Sequence, residues 1–396
     1  MRIGIYGGTF NPPHVGHLGA AQYAIAALGL EKLLLIPSCI APHKKLPLDT
    51  PTPQQRAQMV QIAAGEKMEV SSIELDRGGT SFTYETVEAL RSQYPDDELV
   101  LFMGTDMFLS FDTWREPSRI LQNASLGVFY RGDKNELEQI AAQKAKMERS
   151  GATIYLTQNP VTVISSTQLR RMLVFDCAKA FLPVGVLDYI KENGLYGVNR
   201  SYKNLPMEEL EQVVVNLVKP SRVPHVLGCR DTAVQLAERW GADVNDAARA
   251  GLLHDITKAL DGPLQLTLCR EYGKMLDAFS EKNPKVLHAL TGSLVAQRIF
   301  GEKETVVNAI CSHTTGKPGM NILEKIIYIA DYIEPNRDFP GVEKLRELAY
   351  TDLDEAVLLG LETTVAHLQE QGSEISPAGL ETLAWFSGKR KEETVC

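Results

Sequence analysis

Two groups of residues in this chain have the types and spacing for phosphate chemistry. The first is Gly7-Gly8-Thr9-Phe10-Asn11-Pro12-Pro13-His14-Val15-Gly16-His17, between an apolar run at 2–6 and a helical pattern at 15–29. Two glycines at a strand end permit a tight turn and let phosphates approach the backbone. Histidines three residues apart at a helix start lie on one face, where the helix dipole favours anions. Two imidazoles and free amides aimed at one point suit a polyphosphate and would stabilise the charge that builds on a phosphorus under attack. The plainer alternative is a glycine turn with two surface histidines; the coincidence of turn, spacing and strand–helix context argues against it.

The second group lies beyond residue 200. His225, His254 with Asp255, His288, His313 and Asp331 are separated by intervals of 29, 33, 25 and 18 residues. Such spacing puts the residues on different helices, as in metal sites built inside helical bundles. Leu252-Leu253-His254-Asp255-Ile256, Val286-Leu287-His288-Ala289-Leu290, Ile310-Cys311-Ser312-His313 and Ile327-Tyr328-Ile329-Ala330-Asp331 are apolar helical contexts. A buried histidine or aspartate must be paired or ligate a metal. Alone, each is more often a hydrogen-bonded core residue than a ligand; together they point to metal. Nitrogen and carboxylate donors without thiolate suit iron, manganese or zinc. His367 falls outside the pattern and reads as an ordinary helix residue.

The elements that must position these residues differ between the two halves. Residues 1–200 alternate strand-like runs (2–6, 32–37, 99–103, 126–130, 152–156) with helical patterns (15–29, 53–64, 83–93, 116–122, 135–149). That alternation predicts an α/β fold, a doubly wound parallel sheet with helices on both faces and ligands at the carboxyl ends of its strands. A last short helix is expected within 183–196. Beyond a polar join near 198–206 the strand signal disappears, and helical periodicity at 207–218, 230–240, 245–256, 262–272, 285–300, 303–313, 322–333, 353–369 and 377–387 predicts an all-α domain.

The chain has 396 residues, enough for two or three domains, with 44% apolar and 23% charged residues, which excludes disorder as the main state. No run approaches the roughly 20 apolar residues of a membrane span, and Met1-Arg2 leads straight into a strand without a signal peptide. Six cysteines without a CxxC pair predict reduced thiols in a cytoplasm. Residues 1–200 carry 20 basic and 21 acidic side chains, and residues 201–396 carry 21 and 29. The asymmetry marks two different modules. An acidic chain without basic–aromatic clusters is a poor nucleic-acid binder, so neither nucleic acid nor membrane is an expected partner.

The first stretch resembles the HxGH signature of the nucleotidyltransferase superfamily, with a Rossmann-like fold, and Ile164-Ser165-Ser166-Thr167-Gln168-Leu169-Arg170 resembles its ISSTxIR motif, Leu169 replacing an isoleucine. Pro42-His43-Lys44, Thr80-Ser81-Phe82-Thr83-Tyr84 and Gly104-Thr105-Asp106-Met107-Phe108 to Trp114 narrow the resemblance to bacterial nicotinate-mononucleotide adenylyltransferase over residues 1–198. The chemistry implied is attack by the mononucleotide phosphate on the α-phosphorus of ATP, with magnesium arriving on ATP. By this resemblance His14 and His17 hold the ATP phosphates beside Gly7, Gly8, Thr9, Phe10 and Asn11. Ser166, Thr167 and Arg170 bind the β- and γ-phosphates, and Lys44 reaches a phosphate. Gly104 and Asp106 face the nucleotide, Asp106 binding ribose or a magnesium-linked water, or else capping the strand end. Trp114 either stacks on the pyridine ring, with Thr83 and Tyr84 lining that pocket, or is a buried structural tryptophan.

The order H…HD…H…H…D resembles the dinuclear branch of HD-domain phosphohydrolases. Arg222-Val223-Pro224-His225-Val226-Leu227-Gly228, His254-Asp255-Ile256-Thr257-Lys258, His313-Thr314-Thr315-Gly316 and Ala330-Asp331 through Arg337-Asp338-Phe339-Pro340-Gly341 are similar to the HD proteins that hydrolyse diadenosine tetraphosphate symmetrically, over residues 204–390. The resemblance implies one metal on His225, His254, Asp255 and Asp331, with Asp255 bridging to a second on His288 and His313. Iron is the expected metal, with manganese or cobalt as alternatives. Lys258 and Arg337 are candidate phosphate contacts, or solvated surface cations. Other nucleotides in either half, a non-catalytic nucleotide-sensing role for the second half, and the oligomeric state, including a homo-oligomer, stay open from sequence.

Overall fold

A computed structural model describes residues 1–42, 49–130, 134–158 and 164–395. The chain divides into two compact units, Met1–Arg200 and Ser201–Cys396. Among the described residues no helix is long and apolar enough to cross a membrane.

The first unit is built on a six-stranded sheet of order β3-β2-β1-β4-β5-β6: β1 (Arg2–Gly8), β2 (Lys32–Pro37), β3 (Met68–Val70), β4 (Glu98–Gly104), β5 (Ser125–Tyr130) and β6 (Ile154–Gln158). All five pairings are parallel. This is the doubly wound order, with its switch point between β1 and β4, where a crevice opens at the strands' carboxyl ends. Leu34, Ile36, Leu101 and Met103 enter one core cluster, and Leu33, Leu35, Val100 and Phe102 another. Successive residues of one strand thus feed opposite faces, which explains why these strands read as continuous apolar runs.

The sequence reading missed β3, because three residues are too few to show an alternation. The expected helix at 285–300 is a 3₁₀ turn, Pro284–Val286, then helix Leu287–Val295, then a π turn, Ala296–Phe300. Pro284 lacks an amide hydrogen and so belongs at the start of such a turn.

The second unit is helical throughout its described residues. Helices Val223–Trp240, Val244–Leu253, Leu287–Val295, Glu304–Ser312 and Ile322–Ile333 pack around a common centre. Glycines permit close approach at their crossings. A methyl group on Gly251 would lie 2.8 Å from the Arg230 Cα, and one on Gly292 would lie 3.2 Å from the His254 carbonyl oxygen. A glycine in a helix interior costs about 1 kcal/mol against alanine; here the absent side chain is what lets the two backbones meet.

Candidate functional sites

In the first unit, β1 ends at Gly8, and His14 stands at the N-cap of helix Val15–Leu28. The His14 and His17 rings stack 3.6 Å apart at 28°, and the His14 amide donates to His17 Nδ1 at 3.3 Å. Burial pushes His14 down to about 4, so the imidazole is neutral at pH 7. Its Nδ1 is buried without a protein partner. A second helix, Ser166–Val174, starts beside this loop, capped by the Ser165 hydroxyl, which accepts from the Gln168 amide. Ser166 Oγ donates to the Pro12 carbonyl at 3.0 Å, and Arg170 Nη1 donates to the Asn11 carbonyl at 2.8 Å. Arg170 Nη2 donates to Thr167 Oγ1 at 3.2 Å. The HxGH and ISST-like segments, about 150 residues apart in sequence, therefore form one site.

A methyl group built on Gly7 or Gly104 meets nothing within 4 Å, so both strand ends leave open space for a ligand. Thr9 is held from behind through its carbonyl, which accepts from Arg56. Phe10 corrects the sequence reading: it is buried in the core, and its ring edge meets the His17 ring at a centroid distance of 5.1 Å. It supports the histidine from beneath the loop. Asp106 is exposed on helix Thr105–Leu109, which has no side-chain cap, so it is not a capping residue. Trp114 is half-buried with its ring tilted on Phe111, and Tyr84 stacks on Phe82 at the start of helix Thr83–Gln93. Trp114, Phe82 and Tyr84 thus share one apolar cluster. His43 and Lys44 lie outside the described residues.

Two supports escaped the sequence reading. Arg56 is 1% exposed and donates to the carbonyls of Thr9 (2.7 Å), Ser38 (2.7 Å) and Cys39 (3.1 Å), tying the ends of β1 and β2 together. Tyr196 donates its hydroxyl to Asn11 Oδ1 at 2.7 Å. Neither contact has a local sequence signal.

In the second unit, five helix ends or faces converge. His225 lies in the first turn of Val223–Trp240, His254 ends Val244–Leu253, His288 opens Leu287–Val295, His313 ends Glu304–Ser312, and Asp331 lies near the end of Ile322–Ile333. His225, His254 and Asp331 form one group of converging ligand atoms, and Asp255, His288 and His313 form another. Asp255 divides its oxygens between them. Oδ2 lies 3.7 Å from His225 Nε2 and from His254 Nε2, while Oδ1 lies 3.5 Å from His288 Nε2 and 3.9 Å from His313 Nε2.

The protonation pattern tests whether metal fits. His254, His288 and His313 each set Nδ1 on a backbone carbonyl, of Gly251 (2.7 Å), Lys285 (2.9 Å) and Ile310 (2.7 Å). His225 Nδ1 lies 3.1 Å from Glu334 Oε1. Carbonyls only accept, so Nδ1 of His254, His288 and His313 carries the hydrogen and Nε2 of each neutral ring keeps its lone pair, whereas His225 lies between two carboxylates, Glu334 at Nδ1 and Asp331 3.2 Å from Nε2, which raise it against the effect of burial. Yet His225 and His254 face each other Nε2 to Nε2 at 3.2 Å, as do His288 and His313. For His288 and His313 that sets two acceptors face to face, and these repel unless a cation lies between them. Burial holds His288 at about 4 and His313 at about 3, the neutral form a ligand needs. Burial would raise Asp331, but its bond with His225 and the nearby Arg337 guanidinium hold it well below the usual carboxylate range. Imidazole nitrogens and carboxylate oxygens in two groups sharing Asp255 fit two divalent cations.

Around this centre Lys258 Nζ lies 2.8 Å from His288 Nε2, and Arg222 Nη2 lies 3.3 Å from Asp255 Oδ2. Arg337 donates Nε to the Asp331 carbonyl (2.7 Å) and Nη2 to its carboxylate (2.5 Å), so it orients Asp331 as well as adding charge. Sequence reasoning missed Glu334, which is 1% exposed and three residues after Asp331, one helical turn away. Gly228 makes room for it: a methyl group there would lie 2.5 Å from Glu334 Oε2.

A family model described as cytidylyltransferase-like matches residues 5–172, and one described as HD domain matches residues 222–336. A symmetrical bis(5'-nucleosyl)-tetraphosphatase of Bacillus subtilis (strain 168) is 39% identical over 181 residues, 45% of this chain and 96% of that protein. A protein of Dictyoglomus thermophilum described as probable nicotinate-nucleotide adenylyltransferase is 37% identical over 199 residues, 50% of this chain and 100% of that protein. A crystal structure of a predicted HD superfamily hydrolase from Clostridium acetobutylicum shares 37% identity and a TM-score of 0.46, covering 47% of this chain and 98% of that one.

Proposed function

Since the chain belongs to the nicotinate-nucleotide adenylyltransferase family over its first half and to the HD-domain symmetrical bis(5'-nucleosyl)-tetraphosphatase family over its second, we propose that it is a cytoplasmic bifunctional enzyme. Residues 1–198 join ATP and nicotinate mononucleotide into nicotinic acid adenine dinucleotide and pyrophosphate. Residues 204–390 hydrolyse diadenosine tetraphosphate to two ADP. Neither activity involves nucleic acid or a membrane.

In the first half, the observation that supports the reading is the stacked His14–His17 pair facing the Arg170-bearing helix start across Asn11. His14, His17 and the amides of the loop bind the ATP phosphates, and Ser166, Thr167 and Arg170 take the β- and γ-phosphates. The mononucleotide phosphate oxygen forms the new bond to the α-phosphorus, and the bridging oxygen leaves with pyrophosphate. No covalent enzyme intermediate is needed, so orientation and charge stabilisation supply the rate. Magnesium accompanies ATP. Trp114, with Tyr84 and Thr83, offers a face for the pyridine ring, and Asp106 faces the ribose.

In the second half, the carrying observation is the facing Nε2 pairs bridged by Asp255. His225, His254, Asp331 and Asp255 would hold one metal; His288, His313 and Asp255 would hold the other. Iron is the proposed metal, with manganese or cobalt as substitutes. Bound there, the pair would activate water and neutralise phosphate oxygens. The protein fixes the imidazoles through their Nδ1 bonds, excludes bulk water, and sets Lys258 beside the reacting phosphate. Arg337 orients Asp331 and adds positive charge to the polyphosphate.

The test is product analysis of the purified chain with iron or manganese and diadenosine tetraphosphate. Two ADP without AMP and ATP is the expected result. Bound metal without turnover would return the second half to another nucleotide or to sensing. Adenylyl transfer is assayed separately with ATP and nicotinate or nicotinamide mononucleotide.

A further inference from the structure

A small cationic pocket opens beside Asp255, and we propose that Lys219 and Arg222, acting with Lys258, form a subsite for the phosphates of the departing nucleotide. The inference rests on the hydrolase reading of the second half and assigns it a specificity determinant. The pocket has a volume of about 220 Å³ and is lined by Val218, Lys219, Arg222, Asp255, Lys258 and Ala259. Ligand pockets for drug-sized molecules run from about 300 Å³ upward, so this one is undersized for a nucleoside. Its lining holds no aromatic ring on which a base could stack. Three of its six lining side chains are cations, and the one carboxylate is the residue that joins the two ligand groups. The chemistry that fits is a short run of phosphates reaching out from the metal centre.

Local structure explains the aim of these cations. Lys219 and Arg222 bracket the 3₁₀ turn Pro220–Arg222, which the Arg222 amide closes on the Lys219 carbonyl at 2.8 Å. Lys219 is the extended N-cap of that turn and Arg222 its last residue, and both line the same opening. Arg222 reaches Asp255 Oδ2 at 3.3 Å and marks the inner end, and Lys219 stands exposed at the outer end. His225 follows in the next turn, so the stretch that begins the metal site also carries the phosphate row.

Cleavage into two ADP requires attack on the second phosphorus from one nucleoside. Water oxygen bonds to that phosphorus, the bond to the central bridging oxygen breaks, that oxygen leaves on the second ADP, and the water proton passes to solvent. Arg222 then meets the β-phosphate of the leaving ADP and Lys219 its α-phosphate. A chain with fewer phosphates beyond the broken bond forfeits the Lys219 contact.

The experiment uses the full-length, manganese-loaded protein as wild type, K219E, K219R and R222Q. Tripolyphosphate and ADP binding are measured by calorimetry, with metal content, KM and kcat for diadenosine tetraphosphate. K219E and R222Q are expected to weaken tripolyphosphate and ADP binding by about tenfold or more, the scale of a lost charge-assisted contact. K219E should raise KM by a similar factor with a smaller change in kcat and two metals still bound; K219R should stay near wild type. Absent tripolyphosphate binding by wild type, or binding and KM within twofold of wild type in K219E, would overturn the subsite. If K219E loses tripolyphosphate while wild type fails to cleave diadenosine tetraphosphate, the subsite stands and the substrate reading falls. If wild type cleaves it and K219E does so with unchanged KM, the reverse holds.

Discussion

Replacing Glu334 by glutamine should loosen one of two metals and leave the other in place. Glu334 Oε1 accepts from His225 Nδ1 at 3.1 Å, and Oε2 accepts from the Asn336 amide and side-chain nitrogen, both at 2.8 Å. A carboxylate satisfies three donors with two acceptor atoms. A glutamine has one acceptor and one donor end, so either His225 or Asn336 must face an N–H group. Losing a charged acceptor in a buried site costs about 1.5–3 kcal/mol. Changing an outer partner of a ligating histidine weakens metal binding about 10–100-fold, which is about 1.4–2.7 kcal/mol at 1.36 kcal/mol per decade. The two ranges agree. Glu334 bonds to His225 and Asn336, on the side of the first ligand group, so the second metal should be unaffected. Manganese-loaded E334Q would be dialysed against graded chelator and its metal counted by mass spectrometry. One equivalent should leave at about 10–100-fold lower chelator activity than in wild type. Hydrolysis should fall with it and return with excess metal, while adenylyl transfer is unchanged. Retention of both metals at wild-type affinity, or equal loss of both, would refute the argument.

Three further outcomes follow from the same geometry. Gly228→Ala places a methyl group 2.5 Å from Glu334 Oε2 and should mimic E334Q in metal loss, read by the same titration. Arg56→Met strands the carbonyls of Thr9, Ser38 and Cys39; it should destabilise the first unit by about 3 kcal/mol and cut adenylyl transfer with hydrolysis intact. His14 is held at about 4 by burial, against 6.5 in an open chain. Between those values the unfolded chain binds the extra proton, so stability is full above pH 6.5 and falls toward pH 4. The loss reaches about 3 kcal/mol. Denaturant titrations of wild type and H14N across pH 4–7 should differ by that slope, and parallel curves would sink the claim.

Much of the fold was legible because both halves carry long, regular patterns. The apolar strands of the doubly wound sheet and the helical periods of the second unit follow directly from burial on two faces or one. The converging histidines and aspartates were legible because a histidine or aspartate in an apolar helix needs a partner. What stayed hidden depends on contacts distant in sequence. Arg56 in Pro53-Gln54-Gln55-Arg56 looks like a surface residue, and only folding brings it under Thr9. Phe10 reads as part of a ligand loop because its motif does, whereas its side chain completes the core. Glu334 could have been found: it stands one turn beyond Asp331, next to Pro335. Arg222 lay within a quoted motif, but its reach to Asp255 depends on the 3₁₀ turn.

The glycines at the helix crossings have a mechanical consequence. Where the Gly251 backbone meets Arg230 Cα and the Gly292 backbone meets the His254 carbonyl, the contact is main chain against main chain. Such a contact has no rotamers with which to absorb a change. The gap between opposing imidazoles is therefore gauged by hard stops, in the way a spacer sets the jaws of a clamp. Repacking the outer side chains of these helices should leave that gap unaltered, while a single methyl group at either stop would spread the jaws and change the size of ion they would grip.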